Sequence, residues 1–229
     1  MLVVIDPGHG GQNPGAVHGG VMEKDINLLL AWEVAEGLSE YRVALTRKED
    51  TTVSLVERVK MANDGKAALF LSLHSNAGGG HGFESFVHPG AMEITRRYRE
   101  VIHGRVMEAL EPYGIRDRGK KEANFYVLRE TKCPAILLES LFLDNPRERE
   151  LLVQRSFRSL LAAAIVSGVK EALGPPVAGR PREIHTVQVG AFWNRAGAEV
   201  YVARAREKGF KDAFIVTRTV PTGALYPLE

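Results

Sequence analysis

Leu2-Val3-Val4-Ile5-Asp6-Pro7-Gly8-His9-Gly10-Gly11 begins with an apolar run that ends in Asp-Pro-Gly. Such a run, closed by turn residues, reads as a buried strand leaving a sheet. The same form recurs twice downstream. Ala67 to Leu73 runs into His74, and Ala135 to Leu138 runs into Glu139. Helical spacing fills the intervals: Ile26, Leu29, Leu30, Val34 and Leu38 in a helix from Asp25, then Leu55, Val59 and Ala62 in a second. Arg42–Thr46 and Phe83–Val87 read as further strands, and Met92–Leu110 as a helix stopped near Pro112 and Gly114. Phe125–Leu128 reads as a short strand. Asn145-Pro146-Arg147-Glu148 carries the cap, first-turn proline and capping-box glutamate of a helix start, with the helix expected to reach Leu173. Strands alternating with helices predict an α/β fold, a mostly parallel twisted sheet with helices on both faces.

Composition narrows the function classes. The 229 residues fit one domain plus a fragment, and 45% hydrophobic with 25% charged residues excludes a disordered or collagen-like chain. A formal charge of +2 gives no argument for nucleic acid. One cysteine excludes an intrachain disulfide, which suits a reducing compartment. No run approaches eighteen apolar residues, so membrane insertion is not expected. Met1-Leu2-Val3-Val4 has no basic n-region, so no secretory signal is expected and synthesis is placed in the cytoplasm.

Gly174-Pro175-Pro176-Val177-Ala178-Gly179-Arg180-Pro181 reads as a linker, because Gly and Pro dominate it. The expected organisation is a main domain over 1–173, a linker over 174–182 and a small βαβ fragment over 183–229. That fragment is read as Ile184–Val189, Ala196–Lys208 and Ala213–Val216. Residues 174–229 hold eight Lys and Arg against five Asp and Glu, a net 8 − 5 = +3, so the mild basicity sits in the tail.

In open α/β sheets, sites form where loops leave the carboxyl ends of strands. The exits of the three apolar strands deliver His9, His74 and Glu139, and Glu23 precedes the following helix on the same edge. Two imidazoles and two carboxylates on one rim meet the needs of a catalytic zinc site, with three ligands, an open position and a carboxylate base. Singly, each residue has a plainer reading. A histidine in a glycine-rich loop is usually a turn residue, and a Glu at a helix start usually serves the dipole. Glu139 is harder to dismiss, because an unpaired buried carboxylate is costly.

His18, His81 and His88 read as exposed loop residues, with His81 an alternative ligand. Glu84 reads as a partner of Arg or Lys, with a second acid as the alternative, Arg58 as a structural ion pair, and Cys133 as a small buried residue. The basic run Arg116–Lys121 reads as a solvated loop, with contact to an anionic polymer as the alternative. Gly8-His9-Gly10-Gly11 lacks the Lys-Ser/Thr of a phosphate loop. Neither a His-Glu-x-x-His helix nor a Gly-x-Ser-x-Gly elbow occurs.

Residues 2–173 resemble the zinc-dependent N-acetylmuramoyl-L-alanine amidases of the type-3 family. The likeness rests on Val4–Gly11, Glu23-Lys24-Asp25, Leu55–Asn63, Ser72–Ala77 with Gly82-Phe83-Glu84, and Pro134–Asn145. It implies that His9, Glu23 and His74 ligate Zn²⁺ and that Glu139 handles the proton. The implied reaction cuts the amide between the muramic acid lactyl group and the L-alanine of the stem peptide. Alternatives from other classes are a non-catalytic peptidoglycan-binding protein and a zinc peptidase or deacetylase on the same polymer.

His185–Phe192, with Asn194, Ala196 and Ala198, resembles the start of a SPOR-type peptidoglycan-binding module, matched to about residue 220 and so only in part. Phe192 and Trp193 are its candidate sugar-stacking residues. The implied partner is the bacterial cell wall, and the oligomeric alternatives are a monomer or a dimer through the half-module. Without a signal, the enzyme is expected to reach the wall after phage lysis or mother-cell lysis.

Overall fold

A computed structural model describes residues 1–175 and 195–207. The chain divides into two compact units, Met1–Arg180 and Pro181–Glu229.

The first unit is built on a six-stranded sheet. In chain order its elements are β1 (Leu2–Pro7), the short β2 (Val17–His18) and β3 (Val21–Met22), α1 (Glu23–Gly37), β4 (Arg42–Leu45) and α2 (Leu55–Asp64). There follow β5 (Leu69–Asn76), β6 (Phe83–Val87), α3 (Glu93–Leu110), β7 (Asp117–Glu122), α4 (Tyr126–Arg129), β8 (Ala135–Phe142), α5 (Pro146–Val153) and α6 (Arg155–Leu173). The sheet order is β4-β1-β5-β8-β6-β7, while β2 and β3 pair in a separate two-stranded ribbon. All neighbours in the large sheet run parallel except β6 against β8. The expected α/β sheet is therefore present.

Helices cover both faces unequally. Val3, Ile5, Leu69, Leu71, Leu73, Ile136 and Leu138 pack with α1, α3, α5 and α6 in the thicker core. Val4, Phe70 and Leu137 point the other way, into a thinner core closed by α2 and α4. By the two-residue alternation of a strand, Asp6, Ser72, His74 and Glu139 share this second face. The thin layer leaves room above it for a site.

Four details differ from the sequence reading. Arg116–Lys121 is no free loop: Asp117–Glu122 forms the edge strand β7, paired parallel to β6. Its charged sequence lacks an apolar alternation because no helix covers a full face of it. Phe125–Leu128 is a strand only by composition; Tyr126–Arg129 forms one helical turn whose Val127 and Leu128 are both buried. The long C-terminal helix breaks at Gln154, which is extended (φ −76°, ψ 122°). Arg158 from the next turn satisfies the freed carbonyls of Leu152 (2.9 Å) and Val153 (2.7 Å), so the break needs neither Gly nor Pro. Asn145 caps α5 as expected, accepting from the amides of Arg147 and Glu148. Glu148 does not close the capping box. Its carboxylate instead accepts from Gly82 N (2.8 Å) and Phe142 N (2.7 Å), tying the β5–β6 loop to the end of β8.

In the second unit, α7 (Arg195–Glu207) occupies the place read as a helix over Ala196–Lys208. The flanking strands at 184–189 and 213–216, and Phe192 and Trp193, lie outside the described residues.

Candidate active site

His74 and Glu139 do not follow their strands; they belong to them. β5 continues to Asn76 and β8 to Phe142, and His74 pairs directly with Glu139. Glu139 in turn pairs with Glu84 across the antiparallel β6. One row on one face therefore reads His74, Glu139, Glu84. After this row the register slips: Asn76 pairs with Phe142, so β8 holds one extra residue. Leu141 sits in that bulge with φ 66°, a conformation that a buried leucine adopts only at a cost of about 1–3 kcal/mol.

Glu23 is the first residue of α1, two residues ahead of the helix start read from the pattern. It is buried, and its two oxygens join the histidines. His9 Nε2 lies 3.0 Å from Oε2 and His74 Nδ1 lies 3.0 Å from Oε1. Ala16 N donates to Oε2 (2.9 Å), while Asn27 Nδ2 (3.1 Å) and Ser75 N (3.2 Å) donate to Oε1. Burial works against charge on this carboxyl, but the hydrogen bonds from His74 and His9 outweigh it and hold it well below the ordinary range. His74 also titrates high: burial opposes its charge, yet Glu23, Glu139 and Asp6 prevail.

Small residues make this convergence possible. A Cβ on Gly8 would stand 2.2–2.6 Å from the His74 ring, and one on Gly15 would stand 2.4 Å from Glu23 Oε2. His9 itself has φ 61°, and its Nδ1 lies 3.1 Å from Asn13 Oδ1. That second contact orients the ring so that Nε2 faces Glu23.

A polar cluster under the His9 loop fixes this strained backbone. Asp6 Oδ1 accepts from Arg58 Nη1 (2.6 Å) and Thr46 Oγ1 (2.6 Å), and Oδ2 from Ser72 Oγ (2.7 Å). Arg58 also donates to the carbonyls of Pro7 (2.8 Å) and His9 (2.7 Å). Arg47 grips Pro7 O (3.0 Å), Gly8 O (3.0 Å) and Lys24 O (2.7 Å). Arg58 is thus the structural ion pair expected of it. Arg47, Asn13 and Asn27 are contributors that sequence reasoning missed: nothing local marks the long-range bonds of Arg47, and the two asparagines, each four residues from the side chain it holds, carry no motif.

Glu139 stands apart. The residue keeps some solvent access, yet its Oε2 is sealed and has no hydrogen-bond partner. Burial chiefly, with the carboxylates of Glu23 and Glu84, pushes its carboxyl up to about 7 against the pull of His74.

Among the described residues, His9, Glu23 and His74 form the group of potential metal ligands, their donor atoms lying within 4.8 Å of one another. His18 and His81 are exposed and His88 is half-buried; none joins the group. Cys133 is half-buried rather than buried, and burial pushes its thiol up to about 11, which leaves it a poor nucleophile. A groove of about 620 Å³ between α1 and α6 lies on the thicker layer and contains none of these residues.

The sequence pattern described as N-acetylmuramoyl-L-alanine amidase matches residues 3–171. The chain belongs to this family. It is an N-acetylmuramoyl-L-alanine amidase, a peptidoglycan hydrolase, of a family that is generally zinc-dependent. A SPOR domain matches residues 181–227, further than the partial likeness read from sequence, and supplies a peptidoglycan-binding element. The sporulation-specific N-acetylmuramoyl-L-alanine amidase of Bacillus subtilis (strain 168) is 39% identical over 92% of this chain and 82% of its own length. The endolysin of Bacillus phage SPP1 is 43% identical over 75% of this chain and 66% of its own. Among solved structures, the catalytic domain of CwlV from Bacillus (Paenibacillus) polymyxa var. colistinus superposes with a TM-score of 0.72. The two are 36% identical, and the match covers 76% of this chain and 99% of that domain. No described helix is long and apolar enough to cross a membrane.

Proposed function

We propose that His9, Glu23 and His74 hold a zinc ion and that Glu139 is the general base and acid for hydrolysis of the lactyl–L-alanine amide. The donor set fits the metal: two imidazoles and a carboxylate are a catalytic zinc triad, and two of the ligands already have an outer partner, His9 in Asn13 and Glu23 in Asn27. The observation that carries the reading is the orphan oxygen of Glu139, sealed beside His74 with no protein group to satisfy it.

When bound, zinc supplies a Lewis acid for the amide carbonyl and makes a nearby water acidic near neutral pH. Glu139 then takes the proton of the attacking water, whose oxygen bonds to the lactyl carbon. The same carboxyl returns the proton to the alanine nitrogen as the carbon–nitrogen bond breaks, releasing an amine and leaving a lactyl carboxylate. Burial raises the proton affinity of this carboxyl in the metal-free fold, which suits a group that must take a proton from water. Asn13 and Asn27 orient His9 and Glu23 for the metal. Arg47 and Arg58 keep the His9 loop in place through its carbonyls.

The catalytic domain is proposed as residues 1–173, with 174–182 as linker and the SPOR element beyond it holding the enzyme on glycan strands. Release by mother-cell lysis is the proposed route to the wall, because the sporulation amidase matches through the tail whereas the phage endolysin covers less of the chain. Purified sacculi treated with zinc-loaded enzyme should yield intact glycan and peptides beginning with L-alanine, and chelation should abolish the release. Cleavage inside the stem or loss of acetate would replace the reading with a peptidase or deacetylase. Binding without any release would make the chain a wall-binding protein.

A further inference from the structure

The row of side chains beyond Glu139 carries a cluster that hydrolysis itself does not use. Glu84 is buried beside Glu139, and Asn76 Nδ2 donates to its Oε1 (2.6 Å). Its other oxygen, Oε2, accepts from Arg118 Nε (2.9 Å) and from Lys121 Nζ, both in β7. Burial opposes the charge on Glu84, but Lys121 and Arg118 hold its carboxyl below the ordinary range. One carboxylate is therefore shared by two cations, and a net positive charge is left over.

Neither cation is spent on Glu84. Arg118 gives it only Nε; Nη1 and Nη2 make no hydrogen bond within the protein among the described residues. The guanidinium carbon stands 4.7 Å from the centroid of Phe142, and the side chain remains 26% exposed. Lys121 Nζ lies 5.8 Å from the Phe86 centroid with 39% of its side chain exposed. Rings and the buried glutamate fix both cations in place, so little rotamer freedom is left to lose on binding an anion.

We infer that Arg118 and Lys121 form a carboxylate subsite for the stem peptide, and so set which stems the enzyme cleaves. The inference rests on the amidase reading above. The proposed metal ligands lie on the β1–β5 side of Glu139, and the cations lie on its β6–β7 side. β7 is two strands from β8, on the order of 10 Å at the usual strand spacing. An extended peptide covers about 3.3–3.6 Å per residue, so a free carboxylate two or three residues beyond the scissile amide reaches the pair. An arginine fork with two open nitrogens suits a carboxylate geometrically.

The test uses the full zinc-loaded chain and two muramoyl-peptides that differ only in having their stem carboxylates free or amidated. The wild type should favour the free acid about tenfold in kcat/KM, mostly through KM. Arg118→Gln and Lys121→Gln should each raise KM for the free acid and bring the ratio towards one, while Arg118→Lys should keep part of the preference. Should Arg118→Gln fold poorly, Lys121→Gln, on a more exposed side chain, reads the same ratio. A wild type indifferent to amidation, or variants that lose kcat with the ratio intact, would overturn the subsite. If the wild type released alanine-headed peptide from neither substrate, the amidase reading itself would fall, and the subsite with it.

Discussion

Asp6 and Glu139 are carboxylates carried towards the carboxyl ends of two parallel strands on one sheet face, and the protein treats them in opposite ways. Asp6 is fully enclosed, and Arg58, Thr46 and Ser72 supply donors to both of its oxygens. Glu139 is left with a sealed oxygen that nothing satisfies. A satisfied buried charge is scaffold, here fixing the loop that carries His9. An unsatisfied one beside the proposed metal ligands leaves a place for something outside the folded chain, and substrate water suits it chemically.

The contrast is tested first where the effect is largest. Glu139→Gln should cut turnover on peptidoglycan by 10²–10⁴-fold, the usual worth of a general base, while zinc content measured on the same sample stays stoichiometric. Retained wild-type turnover would remove Glu139 from the chemistry. Asp6→Asn breaks a buried ion pair and strands Arg58, so urea unfolding should show a loss of about 3–5 kcal/mol. If the loss were under about 1 kcal/mol, the scaffold role would be wrong.

Glu139→Gln should act on stability with the opposite sign. Because the folded carboxyl titrates near 7, above its unfolded value, the metal-free fold gains from protonation. That gain is fully present below about pH 4.5 and is lost as pH rises through 7. The glutamine variant of the metal-free protein should therefore be more stable at pH 8, by about 1–3 kcal/mol, with a flatter pH profile.

A smaller effect belongs to His103, buried in α3 between Ser85 Oγ (2.8 Å) and Asp117 Oδ1 (3.0 Å). Burial, against the pull of Asp117, holds its imidazole below the ordinary range. Its contribution is present above about pH 6.5, the ordinary histidine value, and is lost as pH falls through the depressed one. Thermal unfolding should show a shallower fall between pH 7 and 5 in His103→Gln than in the wild type.

Much of this was legible in the sequence, for a physical reason. β1, β5 and β8 are buried on both faces, so they read as unbroken apolar runs, and a polar residue interrupting such a run is conspicuous. His74 and Glu139 stand out in that way. Residues acting across the fold gave no such signal. Arg47 looks like any loop arginine until its guanidinium is seen on Pro7, Gly8 and Lys24. His103 sits mid-helix in a polar stretch, and β7 carries charges where a strand usually carries apolar residues. The break at Gln154 depends on an arginine four residues later, which no local pattern announces.

β7 also terminates the sheet, and a terminal strand exposes unpaired backbone groups to any other chain with a free edge. Arg118, Lys120 and Lys121 line that border, so two copies approaching edge to edge would bring like charges together. Replacing Lys120, which pairs with Glu100 and not with buried Glu84, by a neutral β-former would weaken that repulsion and leave the Glu84 cluster in place. Charge on this short segment thus disfavours the pairing of two copies along their free edges.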